Sequence, residues 1–178
     1  KIKNRSKKDV EMFYLTNESV SNVFLPYVLE TKDELDILIT RQNYIIYFFK
    51  YVINRRRPWQ MDKNIKPLNI DTAQTPAYPA GHAYQAYLLY KVLSKKYPKL
   101  KNIFFKLAIE CDECRVKAGL HYPSDGVYAR KLVDYYNSWI CLSREDVFKR
   151  FKFCLSDEKS HGFRILQSVV GFNIFNLV

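Results

Sequence analysis

The chain has 178 residues, with 29 Lys+Arg against 18 Asp+Glu and a net charge of +11. That length suits one domain with its own core, and 48% hydrophobic with 26% charged residues excludes a disordered chain. Only 5 Gly and 7 Pro exclude a collagenous chain and argue against a turn-dense β-sandwich.

In chain order, residues 1–10 are basic and read as frayed. Residues 11–30 read as helical and mixed. From Asp33 to about Asn54, Leu35, Leu38, Ile39, Ile45, Ile46, Phe49, Val52 and Ile53 recur at mostly helical spacing, which predicts one long helix. It stops near Arg57, because Pro58 disfavours the α region at the residue before it. Residues 58–80 read as a loop, and loops of that length are usually functional or disordered. A second helix runs from Gly81 or His82 to about Lys96. A third covers Lys99 to about Ala118, with Ile103, Phe104, Leu107, Ala108, Cys111 and Cys114 on one side and Gly119 as its stop. A fourth begins near Ser124 and continues to about Ile140. Helical pieces are expected over 144–153 and 160–175. No strand pair is evident, so the expected fold is an all-α helical bundle with its site at helix ends. One domain is expected over 1–178, with a motif-bearing core at about 33–140 and helical appendages at both ends.

The longest run without Asp, Glu, Lys or Arg, Thr72 to Tyr90, contains Gln74, Pro76, Pro79, Gly81, His82 and Gln85, so it is no membrane span. The second and third helices are too densely charged for hydrocarbon. No secretory leader is legible. A water-soluble protein is expected, with a lean to the cytoplasm. Cys111, Cys114, Cys141 and Cys154 read as ordinary thiols, since the lone CxxC has no second ligand pair.

Three segments concentrate the chemistry. Lys50 to Pro58 closes the long helix, Tyr78-Pro79-Ala80-Gly81-His82 opens the next, and Arg115 to Asp125 bridges the third and fourth. All lie at helix ends, where backbone groups are unpaired. Together they hold the inventory for gripping and attacking a phosphate-like oxyanion. Arg57 and Arg115 can fork onto oxygens, and Lys50 adds a point charge. The Gly81 and His82 amides offer donors at a helix N-terminus. One histidine can attack phosphorus and the other can protonate the leaving oxygen. Asp125, four residues after His121, can hold the ring nitrogen that does not attack. Arg55 and Arg56 read as solvated charges at a helix C-terminus. His161 reads as a surface or capping residue, and Tyr44, Tyr47, Phe48 and Tyr51 as core or groove wall.

These segments resemble, in order and spacing, the signature of the type 2 phosphatidic acid phosphatase and vanadium haloperoxidase superfamily: Lys-x6-Arg-Pro, Pro-Ser-Gly-His and Ser-Arg-x5-His-x3-Asp. Lys50, Arg57, Pro58, Pro79, Gly81, His82, Arg115, His121 and Asp125 match it. Ala80 and Cys114 stand where serines are usual. The likeness is greatest to soluble phosphatases of the family. It implies a helical core and hydrolysis of phosphomonoesters or diphosphates without a metal or other cofactor. His121 would be the nucleophile that forms a phosphohistidine, His82 the general acid and then base, and Asp125 the orienting carboxylate. Lys50, Arg57, Arg115, Gly81 and position 80 would hold the phosphate, and vanadate would bind as its mimic. Ala80 lacks the usual hydroxyl donor. The alternatives are a vanadate-dependent haloperoxidase on the same scaffold, and a basic protein that binds nucleic acid or anionic lipid through its charge. Expected partners are a phosphate-bearing small molecule or lipid and, peripherally, an anionic membrane. No specific nucleic acid is expected.

Overall fold

The structure, a computed structural model, describes residues 5–136. Helix α1 (Lys7–Glu18) begins at a capping box, in which the Ser6 hydroxyl accepts from the Asp9 amide and the Asp9 carboxylate accepts from the Ser6 amide. The expected fraying of residues 1–10 therefore does not extend to 6–10. Two short 3₁₀ turns, Val20–Val23 and Leu25–Tyr27, lead to α2 (Lys32–Thr40), which starts at a Thr31–Glu34 capping box.

The long helix expected from Asp33 to Asn54 is two helices. The Gln42 amide turns to the Ile39 carbonyl and the Ile45 amide to the Gln42 carbonyl, so the i−4 ladder gives way to i−3 bonds. The Thr40 hydroxyl also bonds back to the Asp36 carbonyl (2.8 Å), a contact that disturbs helices locally. Helix α3 (Asn43–Ile53) then ends on Asn54 at φ 47°, ψ 43°, the left-handed conformation that Asn tolerates well. One turn, α4 (Pro58–Met61), opens the expected loop, and its Pro58 holds Arg57 extended at φ −77°, ψ 156°.

The rest of that loop is tied down. Leu68, Ile70 and Ala73 join a hydrophobic cluster with Phe13, Cys114, Ala118 and Leu120. The Leu68 amide donates to the Ala118 carbonyl (3.2 Å), Ala77 to Arg55 (2.8 Å) and Ala80 to Asp125 (3.2 Å).

Helix α5 (Gly81–Lys96) has the expected bounds. It is central, packing on α2, α3, α6 (Lys101–Lys117) and α7 (Pro123–Tyr136). Tyr84, Leu88, Leu89 and Leu93 of α5 are buried, as are Phe104 and Ala108 of α6 and Leu132 and Val133 of α7. Each of the leucines, Phe104 and Val133 contributes roughly 1.5–3 kcal/mol on burial. Helix α6 closes as Gly119 predicts. Gly119 sits at φ +81° with its amide on the Val116 carbonyl (3.0 Å), and Leu120 donates to Arg115 (3.1 Å), a Schellman arrangement. That closure swings the chain back so that Arg115 and His121 share one end of the bundle.

The described residues form an all-α helical bundle without strands, and no described helix is long and apolar enough to cross a membrane. Tyr47 and Tyr51 are exposed, so of the expected core or groove wall they are not core. The helical pieces expected at 144–153 and 160–175, with Cys141, Cys154 and His161, lie outside the described residues. Cys111 and Cys114 are buried free thiols.

Candidate active site

The three segments converge. Helix α3 supplies Lys50 in its last turn, and the Asn54 reversal brings Arg55 and Arg57 back toward the same place. The α6 terminus supplies Arg115, the turn after it His121, and the first turn of α7 Asp125. Lys50, Arg57, Arg115 and His121 are at most 4% exposed, and Asp125 is 0% exposed. Ala80 is buried at the N-cap of α5 with no side-chain cap, so the amides that open this helix lack that partner. A Cβ at Gly81 would meet only ordinary contact with Ile46, at 3.9 Å. The protein interior therefore does not require glycine there.

His121 has a defined tautomer. Arg57 Nη1 lies 3.2 Å from its Nε2 and can only donate, so Nε2 carries the lone pair. Nδ1 then bears the proton and donates to Asp125 Oδ2 (3.2 Å), which also accepts from the Tyr122 amide (2.9 Å). Burial, then the Arg57 and Lys50 charges, push the His121 pKa well below the usual range, so the ring is neutral at pH 7. Its Nε2 electron pair points at Arg57, among the cations.

Those cations have neutral partners. Lys50 Nζ donates to the Pro76 carbonyl. Arg57 donates to the carbonyls of Thr75 (2.8 Å) and Leu120 (3.0 Å). Arg115 donates to Asn17 Oδ1 (3.1 Å) and Thr72 Oγ1 (2.8 Å), lies over the Phe13 ring at 4.6 Å, and leaves its Nε buried without a partner. Burial acts on all three, and repulsion by a neighbouring cation on Lys50 and Arg57. Lys50 falls from 10.5 to about 7, through burial and then Arg57. Arg57 falls to about 10, through burial and then Arg115. Burial likewise lowers Arg115.

His82, second in α5, is partly exposed. The Asn17 backbone carbonyl accepts from its ring, which leaves the other nitrogen for chemistry. Burial and then the Arg115 charge push its pKa well below the usual range, so His82 is neutral while no anion is bound. A bound phosphate, by opposing these cations, would draw the proton that a general acid needs.

Two corrections follow. Arg55 is not a solvated charge: its Nη1 pairs with Asp125 Oδ1 (2.7 Å) and bonds Ser124 Oγ (2.8 Å). Alternation along the extended chain leading to Arg57 was the available signal, since it puts 55 and 57 on one side and 56 on the other. Arg56 is exposed, as expected. The N-terminal helix is also more than an appendage, because Asn17 touches both Arg115 and His82. Nothing in the sequence signals Asn17 or Thr72. Cys114 bonds the Cys111 carbonyl (3.1 Å) and lies 4.0 Å from Thr16 Oγ1, on the buried side of α6.

No family model matches the chain, and no curated protein matches it.

Proposed function

We propose that the protein is a phosphohydrolase that cleaves phosphomonoesters or diphosphates through a phosphohistidine on His121, in the manner of the superfamily that its motifs resemble. One observation carries this reading: a buried cluster of cations is left without enough negative charge. Lys50, Arg57 and Arg115 are bonded only to neutral groups, namely carbonyl, amide and hydroxyl oxygens and the His121 ring, while the cluster's carboxylate, Asp125, is bound by Arg55 and His121. Buried charge without a counter-charge is strongly unfavourable. A bound dianion supplies that counter-charge, and the open end of α5 adds amide donors.

The chemistry follows from the tautomer. The Nε2 electron pair forms the bond to phosphorus as the bond from phosphorus to the leaving oxygen breaks. That oxygen keeps the bonding pair and takes a proton from His82. The His121 ring becomes cationic, and Asp125 faces its Nδ1–H. In the second step water, deprotonated by His82, attacks phosphorus and returns the electron pair to Nε2. Lys50, Arg57 and Arg115 neutralise charge on the non-bridging oxygens throughout. The protein's own cations supply the electrophilic assistance, so no metal is part of the proposal.

Purified protein is expected to hydrolyse nitrophenyl phosphate in excess EDTA and to be inhibited competitively by vanadate. Halide oxidation with vanadate and peroxide, without hydrolysis of any phosphate ester, would replace this reading by the haloperoxidase one. Salt-sensitive binding to duplex DNA or anionic vesicles, with neither activity, would replace it by a binding protein.

A further inference from the structure

We propose that Arg55 is a positioning residue: its guanidinium anchors the Asp125 carboxylate and, through it, the Nδ1–H tautomer of His121. The proposal rests on His121 being the nucleophile.

The geometry is a hydrogen-bonded chain of three side chains. Arg55 Nη1 donates to Asp125 Oδ1 at 2.7 Å, and His121 Nδ1 meets Asp125 Oδ2 at 3.2 Å. Arg55 is itself fixed. Its guanidinium lies 3.9 Å from the Tyr122 ring centroid and 5.9 Å from that of Tyr78, and its carbonyl accepts from Ala77 (2.8 Å). One guanidinium therefore bridges Asp125 and Ser124 of α7, the turn that carries His121, and the loop before α5. Its anchoring does not involve the phosphate, because Asp125 stands on the far side of the His121 ring from Nε2.

Asp125 needs that anchor. Burial lifts its carboxyl to about 6, against the opposing pull of the Tyr122 amide and the charges of Arg55, Lys50 and Arg57. Without Arg55, Oδ1 becomes a buried oxygen stripped of its cation, and the carboxyl takes up a proton nearer neutrality. The Nδ1–H of His121 then loses its anionic acceptor, and with only the Arg57 donor at Nε2 left to oppose the other tautomer, the proton is held less firmly on Nδ1. The groups facing Asp125 are Arg55 from the α3–α4 junction, Lys50 from α3, Arg57 from the start of α4, Tyr78 from the loop before α5, and His121 with the Tyr122 amide from the turn into α7. Among them Lys50, at about 7, titrates in the same window. Its protonation as pH falls favours anion binding, so it acts opposite in sign to loss of the Asp125 charge.

The test compares the full chain with Arg55→Met and Arg55→Lys in two ways. The first is kcat/KM for nitrophenyl phosphate across pH 5.5–9. Arg55→Met is expected to lose roughly fivefold at pH 6, nearing tenfold at the acid end, and to approach the parent above pH 8, as a shift of about one pH unit in the acid limb requires. Arg55→Lys is expected to keep the parent's profile. The second is ¹⁵N spectra of the histidine rings. They are expected to show Nδ1–H for His121 in the parent from pH 6 to 8 and its loss at pH 6 in Arg55→Met. A loss equal at every pH, or an unchanged tautomer in Arg55→Met, overturns the proposal. A parent that hydrolyses nothing refutes the phosphatase reading instead, and the spectra still decide on Arg55.

Discussion

Replacing Lys50 by Met is expected to stabilise the fold at pH 6 while abolishing phosphate and vanadate binding. Lys50 is 4% exposed, and its pKa moves from 10.5 to about 7, chiefly through burial. That displacement corresponds to about 5 kcal/mol of disfavoured charge, present in full below pH 7. Because the folded pKa lies below the unfolded one, the unfolded chain binds the extra proton. The penalty therefore fades as pH rises from 7 towards 10.5. Met matches the stem of Lys and removes the charge. It also removes the donor to the partly buried Pro76 carbonyl, and a carbonyl left unpaired away from water costs about 1–3 kcal/mol. The net gain at pH 6 is about 2–4 kcal/mol, or on the order of 5–10 °C in Tm for a chain of this size. Near pH 10 the charge penalty is only about 1 kcal/mol, and the missing hydrogen bond cancels or reverses the gain. The assay is thermal and denaturant unfolding of both proteins in phosphate-free buffer at pH 6 and pH 10. A variant less stable than the parent at pH 6, or an equal difference at both pH values, would refute the view that the fold carries an uncompensated lysine for the sake of an anion.

Anion binding is expected to take up protons at pH 8, because Lys50 is mostly neutral there in the empty site and a bound phosphate draws its pKa back up. Titration calorimetry in buffers of different ionisation enthalpy reads this directly, and affinity should fall as pH rises through 7. His82→Ala is expected to slow hydrolysis of an alkyl phosphate by roughly 10²–10⁴ and that of nitrophenyl phosphate much less; equal losses would remove His82 from the general-acid role. Ala80→Ser places a hydroxyl at the uncapped N-cap of α5. It is expected to add about 1 kcal/mol of stability and to raise kcat/KM, whereas no change in either would mean that the hydroxyl finds no partner.

The helical elements that bear the motifs were legible because Pro58, Gly81 and Gly119 punctuate them and each acts on local backbone geometry. The break at Gln42 was not, because no Gly or Pro marks it and the hydrophobic spacing runs on through it. The start of α1 was passed over because its capping box uses Asp9 where Glu or Gln is the usual signal. In the site, Lys50, Arg57, Arg115, His121 and Asp125 were legible together through the spacing of their segments, and they do converge. Arg55 was misread because a run of three arginines at a helix end resembles a solvated charge run, and only the Asn54 reversal sorts them into two sides. Asn17 was out of reach. It contributes through a backbone carbonyl and an amide that meet α5 and α6 across the fold, and such contacts leave no local pattern.

The most direct measurement is rapid acid-free quenching of the protein during turnover of a phosphate ester, followed by peptide mass spectrometry. The account predicts a phosphate bound through nitrogen on the peptide that carries His121, labile to acid and stable to base, absent from His121→Ala and accumulating in His82→Ala, where water attacks without its base. Turnover with no phosphorylated peptide, or a phosphate on any other residue, would contradict it.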